Sequence, residues 1–244
     1  MDEQNFICKG IAKDLVEELR KESVLLEQEN ERNIWFYEEN NLRSRIENFS
    51  SVLLEHPEKF PAFHKVLQRA DALASEKMGV KEVTLWKEKI NFKKPGSNGF
   101  VAHQDAQAGW EDVVSKGTSF LNIGIAIDAC TEENGCLEVI PGSFTSLLGP
   151  VFDNLPKDIL DEWDREKRWR KVPLRPGDAV VFDSFQPHRS MKNRTSSQRR
   201  LLLLTYISGR RPAARRRYHL DKAKNYPPKG HLPTKNVPIR GYKI

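Results

Sequence analysis

Arg175-Pro176-Gly177-Asp178-Ala179-Val180-Val181-Phe182-Asp183-Ser184-Phe185-Gln186-Pro187-His188 is the stretch from which the fold is read. Pro-Gly-Asp marks a tight turn, Ala179 to Phe182 is a short apolar run, and a histidine stands just past its far end. The same grammar repeats on both sides. Runs rich in Val, Ile, Leu and Phe occupy 82–92, 119–128, 136–140, 170–174, 179–183 and 200–207. Between them lie Lys94-Pro95-Gly96-Ser97-Asn98-Gly99, Glu133-Asn134-Gly135 and Pro141-Gly142-Ser143, which are turn signals. Short strands with no helix between successive members predict an antiparallel sandwich or barrel.

Upstream the hydrophobic period changes. Ile11, Leu15, Leu19 and Leu25-Leu26, and then Phe63, Val66, Leu67, Ala70, Leu73 and Met78 before Gly79, recur at helical spacing and predict amphipathic helices. In the polar insert 152–169, Leu155, Ile159, Leu160 and Trp163 predict a further short helix. The expected organisation is one domain over 1–244: a helical flank at 1–80, a β-core at 82–207 and a basic tail at 209–244. The flank and the tail are expected to form the rear support and lid of the barrel.

The 244 residues carry 40 Lys+Arg against 34 Asp+Glu, a formal charge of +6, but the excess is local. Residues 209–244 hold six Arg, five Lys and one Asp, or +10, which leaves −4 on the rest. A nucleic-acid-binding domain needs its basic stripe on folded structure with aromatics interleaved. Here the charge sits in a proline-rich terminal stretch, so the expectation is a solvated tail over the domain or the substrate entrance, with no nucleic-acid partner. Met1-Asp2-Glu3-Gln4-Asn5 has no basic and apolar leader pattern, and no window approaches the ~18 apolar residues that cross a bilayer. No membrane partner and a cytoplasmic location are therefore expected. Cys8, Cys130 and Cys136 form no C-x-x-C pair, which excludes a disulfide framework and a cysteine zinc site. Nothing in the sequence sets an oligomeric state.

The six histidines are His56, His64, His103, His188, His219 and His231. His56 and His64 lie beside prolines in the helical flank and read as surface or packing residues. His103-Gln104-Asp105 and His219-Leu220-Asp221 are both H-x-D triplets. The second lies in the basic tail and follows no strand. The first follows a predicted strand across a Gly-rich loop, and His188 ends another strand 83 residues beyond Asp105. In an extended segment residues i and i+2 project to the same side, so His103 and Asp105 can aim at one centre that His188 completes. Two imidazoles and a carboxylate suit ferrous iron, with three positions left open for a bidentate oxo-acid and dioxygen. A catalytic zinc ion can also use such ligands, although the helical H-E-x-x-H is absent.

An oxo-acid needs a counter-charge for its distal carboxylate. Arg199, 11 residues past His188, stands at the mouth of the next strand, where a hairpin returns it toward the metal; its planar fork binds carboxylate bidentately. Arg200 beside it leaves the register open by one. The alternative is that both are ordinary strand-end charges.

Together, His103-x-Asp105, the run from Asp128 through Asn134-Gly135 to Pro141-Gly142-Ser143, the Gly177-Asp178 turn, His188-x-Ser190-x-x-Asn193 and Arg199 resemble the phytanoyl-CoA dioxygenase family over about 82–207. That resemblance implies a double-stranded β-helix, the cupin-like jelly roll, mostly β with flanking helices. It implies His103, Asp105 and His188 as iron(II) ligands, Arg199 as the 2-oxoglutarate anchor, and Ser190 as a second contact to the same carboxylate. Lys89-Ile90-Asn91-Phe92-Lys93 is similar to the strand that supplies a cosubstrate Asn in ectoine hydroxylase-like members, which suggests Asn91.

The stretch Glu88–Phe100 with His103-Gln-Asp-Ala-Gln-Ala-Gly-Trp110 looks most like bacterial members that hydroxylate small polar or zwitterionic compounds, aminoalkylphosphonates included. A carboxylate at Asp105, where halogenating relatives have Gly or Ala, implies hydroxylation or another oxidation of a C–H bond. Trp110 could wall the cosubstrate, form a cation-binding aromatic surface, or simply pack. Lys89 and Gln107 could contact substrate or be solvated polar residues. The expectation is thus an iron(II)- and 2-oxoglutarate-dependent dioxygenase that uses O2 on an unactivated C–H bond of a small polar or zwitterionic metabolite and yields succinate and CO2. The alternative from another class is a cupin-like module that binds a metal or small ligand without turnover.

Overall fold

The computed structural model describes residues 7–28, 34–37, 43–108, 118–151 and 153–225. Two antiparallel sheets face one another. The larger has the order β1-β9-β6-β11-β4-β3-β2 and the smaller β5-β10-β7-β8. The large sheet comprises β1 (Ile7–Cys8), β2 (Ile34–Tyr37), β3 (Arg43–Glu47), β4 (Val83–Lys93), β6 (Phe120–Ala126), β9 (Ala179–Asp183) and β11 (Arg199–Ser208). The small one comprises β5 (Phe100–His103), β7 (Leu137–Val139), β8 (Arg170–Val172) and β10 (His188–Ser190). This is the expected jelly-roll arrangement, and the six apolar runs seen in the sequence all lie on strands.

Side-chain alternation divides the large sheet into two faces. Ile90, Phe92, Ile123, Ile125, Val181, Leu202 and Leu204 point outward and are buried against Leu19 and Leu26 of α1 (Val16–Gln28), Val52 and Leu53 of α2 (Ser50–Glu55) and Phe63, Val66, Ala70 and Ala74 of α3 (Pro61–Met78). Each such side chain removed from water contributes about 1.5–3 kcal/mol. Ala126, Val180, Phe182 and Leu201 point inward and meet Cys130, Cys136, Val139, Val172 and Leu174. The inner apolar layer is the smaller, and the rest of the inner face is polar.

α3 forms where it does because Pro61 opens it, its buried residues fall three or four apart, and Gly79 ends it at φ 64°. Its first-turn donors are satisfied from another helix: the buried Glu22 carboxylate accepts the N–H groups of Ala62 and Phe63 at 2.8 and 2.9 Å. The expected insert helix is α4 (Lys157–Arg165), seated by Leu155 and Trp163 against Ala102 and Ile140.

Two expectations need correction. The helical flank at 1–80 also supplies strands, β1 at one edge of the large sheet and the β2–β3 hairpin at the other. The β3 pattern Arg43-Ser-Arg-Ile-Glu47 escapes a hydrophobic reading because Arg45 and Glu47, on its inward side, are charged. The basic segment, read as a solvated tail, begins with a docked helix, α5 (Pro212–Asn225). Tyr218 stacks on Trp86 with ring centroids 4.8 Å apart, and Arg215 forms a bond of 2.8 Å to the fully buried Glu88. Residues 226–244 lie outside the described residues. No helix among the described residues is long and apolar enough to cross a membrane.

Candidate active site

β5 and β10 pair with His103 directly opposite His188, which brings the ring centroids to 4.2 Å. The His103 Nδ1 lies 2.8 Å from the Val101 carbonyl oxygen, and the His188 Nδ1 lies 2.9 Å from that of Gln186. A carbonyl only accepts, so each Nδ1 carries the proton and each Nε2 keeps a lone pair for the site.

Asp105 arrives by a different route from the one expected. The strand ends at His103, and Asp105 is the first residue of a one-turn 3-10 helix, Asp105–Ala108. Between them the buried Gln104 fixes the turn, donating to the carbonyls of Ser146 and Phe185 and accepting from the Leu148 N–H. One ligand atom from each of His103, Asp105 and His188 then lies within 4.8 Å of the others. Among the described residues no other group of three His, Cys, Asp or Glu converges in this way. The other triplet, His219-Leu220-Asp221, lies on α5 and not on a strand.

Burial, and then the neighbouring His188, push the His103 imidazole down to about 3. Burial also lowers His188. Burial works against the Asp105 charge, but the neighbouring His188 ring and the Lys87 and Lys89 ammonium groups outweigh that and hold the carboxyl well below its usual range. Neutral imidazoles beside an ionised carboxylate are the protonation state a divalent metal ion requires.

Strand register places the remaining polar groups, because directly paired residues of an antiparallel sheet point to the same side. The inner face carries Phe182, Asn122, Thr205 and Lys87 on one rung, then Val180, Gly124, Leu203, Lys89 and Glu47, then Ala126, Leu201, Asn91 and Arg45, and finally Arg199 with Lys93. Phe182 packs on the His188 ring at 4.9 Å, which ties the first rung to the triad.

At the last rung the two adjacent arginines separate. Arg200 points outward, where it grips Asp128 through bonds of 2.7 and 3.0 Å and donates to Ser23 Oγ. Arg199 points inward, is 2% exposed and donates from Nη2 to the Gly135 carbonyl at 2.9 Å. Its buried Nε has no partner among the described residues, and neither has the Asn91 Oδ1 on the adjacent rung. Ser190 Oγ accepts from Lys93 Nζ at 2.9 Å and from the Phe100 N–H at 3.2 Å. Arg199, Lys93 and Ser190 are therefore brought together with Asn91 one rung away, and the unpartnered Arg199 Nε–H is a donor that fits an anionic oxo-acid.

Gln107 is not at this pocket. Its buried amide donates to the carbonyls of Pro150 and Asp153 and accepts from the Gln104 N–H, so it braces the Asp105 turn. Trp110 lies outside the described residues. Lys89 does face the triad: burial and Lys87 push its ammonium down to about 7 against the upward pull of Asp105. Sequence reading missed Lys87, Lys93 and Asn122. The signal for the first two was the period-2 spacing Lys87-x-Lys89-x-Asn91-x-Lys93, with Ile90 and Phe92 apolar on the outer side between the last of them.

Fold and site together define a jelly-roll protein with a two-histidine, one-carboxylate set between its sheets. The chain belongs to the phytanoyl-CoA dioxygenase (PhyH) family, whose model matches residues 7–201. It is similar to a methylphosphonate hydroxylase of Gimesia maris, 39% identical over 58% of this chain and 52% of that protein. It is also similar to a 2-aminoethylphosphonate dioxygenase of an uncultured bacterium, 35% identical over 72% of this chain and 67% of that protein. The matched stretch thus spans about half of the first relative and two thirds of the second. Among solved structures, EctD of S. alaskensis with 2-oxoglutarate and 5-hydroxyectoine superposes at a TM-score of 0.66, with 20% identity over 83% of this chain and 71% of that one. EvdO2 of Micromonospora carbonacea with 2-oxoglutarate gives 0.60, with 22% identity over 83% and 85%.

Proposed function

We propose that this chain is an iron(II)- and 2-oxoglutarate-dependent dioxygenase that hydroxylates a C–H bond of a small polar or zwitterionic metabolite. The observation that carries the reading is the convergence of His103, Asp105 and His188 within 4.8 Å, with both imidazoles oriented by backbone carbonyls. Family membership and relatives named for phosphonate substrates support it.

His103, Asp105 and His188 would hold the metal, and Arg199, Ser190, Lys93 and Asn91 would hold 2-oxoglutarate. When bound, iron(II), 2-oxoglutarate and O2 supply the oxidant that turns C–H into C–OH, with succinate and CO2 as coproducts. The chain's part is placement. Val101 and Gln186 keep the imidazoles in the ligating tautomer, and Gln104 fixes the direction of Asp105. Arg199 pairs with the distal carboxylate through its fork, and the apolar layer of Leu201, Val180 and Phe182 limits water beside the triad.

The test is succinate formation from 2-oxoglutarate across a panel of small phosphonates, amino acids and CoA esters. Stimulation above the uncoupled background by a small polar compound is the expected result. Its absence across the panel, together with no Fe(II)-dependent 2-oxoglutarate binding, would return the chain to the metal-binding module.

A further inference from the structure

On the inner face of the large sheet, two rungs beside the triad carry a polar cluster that supplies no metal ligand and lies apart from the Arg199 end. Lys87, Thr205 and Asn122 are direct neighbours across β4, β11 and β6, and Lys89 stands one rung further along β4. Lys87 and Asn122 are 8% and 2% exposed. The Asn122 Oδ1 accepts from Thr205 Oγ1 at 2.8 Å, which turns the amide so that Nδ2 is its free end, and that buried donor has no partner among the described residues. The neighbouring carboxylate, Glu47, is bound by Arg45 Nε at 2.8 Å.

Resting on the oxygenase reading above, we propose that Lys87, Lys89 and the Asn122 amide form a substrate subsite for a dianionic tetrahedral oxyanion, the phosphonate end of the primary substrate. Lysines two apart on one strand face have Cα atoms about 6.6 Å apart, so their ammonium groups can bracket the oxygens of one small oxyanion. Asp105 is the carboxylate that faces both lysines, and a metal ion held by it would take up that charge, leaving two like charges that a doubly negative group compensates and a single carboxylate compensates only in part. The Asn122 donor meets a third oxygen. Lys93 lies six positions beyond Lys87 on β4, about 20 Å along the strand, so this subsite and the Arg199–Lys93 end bind different molecules. Phe182, on the Asn122 rung and against His188, sets the substrate carbon beside the metal face. Of the carboxylates near these rungs, Glu47 pairs with Arg45 and Asp105 belongs to the triad, so the anionic end of a phosphonate, not an ammonium, is what these rungs recognise.

Calorimetric titration of the full chain with methylphosphonate tests this, first without metal and then loaded with iron(II) and 2-oxoglutarate under argon. Inorganic phosphate and acetate serve as comparators. Lys87→Met and Asn122→Asp should each weaken methylphosphonate about 10- to 100-fold while leaving 2-oxoglutarate affinity within about twofold. Phosphate should compete with methylphosphonate and acetate should not. Lys89→Met provides a third variant if one of the others does not fold, and melting temperatures show which have folded. Unchanged methylphosphonate affinity in the folded variants, no binding to the wild type, or preference for acetate would overturn the subsite. If methylphosphonate binding depends on Lys87 but no succinate ever forms, the oxygenase reading fails and the subsite stands. If succinate forms but methylphosphonate binding ignores Lys87 and Asn122, the subsite alone falls.

Discussion

Lys93 and Arg199 stand directly opposite one another on β4 and β11, and both donate to one oxygen, the Gly135 carbonyl, at 3.1 and 2.9 Å. The two cations are therefore within two hydrogen-bond lengths of each other, where like charges about 5 Å apart at an effective dielectric of about 20 repel by about 3 kcal/mol. A carboxylate seated between them removes that cost. Arg199→Lys replaces a planar fork by a point charge and Lys93→Met removes the second cation. Each should raise the 2-oxoglutarate concentration needed for half-saturation about 10- to 100-fold with iron binding intact. Arg200→Lys, which touches Asp128 on the outer face, should leave that concentration unchanged; an effect confined to Arg200 would contradict the anchor.

Gly135 fixes where that shared oxygen points. Its φ is +72°, and a Cβ there would lie 2.0 Å from the Met191 oxygen and 2.7 Å from Lys93 Nζ. Gly135→Ala should therefore destabilise the fold by more than about 2 kcal/mol, measured by urea unfolding, and weaken 2-oxoglutarate in whatever folds. A wild-type urea midpoint with wild-type cosubstrate affinity would show that the turn can relax away from both contacts.

Arg215 belongs to the folded body. It donates to both oxygens of the buried Glu88, to Ser50 Oγ and to the Leu85 carbonyl. Arg215→Met strands the Glu88 charge and should cost about 3–5 kcal/mol. Equal stability of Arg215→Met and wild type in thermal unfolding would place α5 outside the cooperative unit.

Glu22 gives a pH signature. Burial raises its carboxyl above the ordinary range, and the Ala62 and Phe63 N–H groups pull it back only in part. The folded state then holds this proton more tightly than the unfolded state, so the group's contribution is greatest below its unfolded pKa and is lost as pH rises through the raised folded value. The stability advantage of wild type over Glu22→Gln should accordingly be larger near about pH 4 than near about pH 7. An advantage that grows with pH would contradict the raised carboxyl.

The strands that carry the fold were legible because their outward positions are apolar and their ends are marked by Gly, Pro and Asn. What was not legible is local geometry. Gln104 ends β5 one residue before Asp105, and only its bonds to Ser146, Phe185 and Leu148 show that the ligand comes from a turn. Arg199 and Arg200 are indistinguishable by spacing; the alternation of β11 separates them once register with β4 is known. Lys87 and Lys93 look like solvated strand charges, and Gln107 like a pocket residue, because nothing in sequence says which polar side chains face a lumen. The α5 helix was hidden by its charge, since Arg215 reads as surface until its buried partner Glu88 is placed.

The central claim is a metal face built by His103, Asp105 and His188 beside a 2-oxoglutarate pocket. Its most direct test is addition of 2-oxoglutarate, without oxygen, to the full chain loaded with Fe(II). The account predicts one bound iron per chain and a visible charge-transfer band that appears with 2-oxoglutarate and is lost in His188→Ala. No band in the wild type, or the same band in His188→Ala, would contradict it.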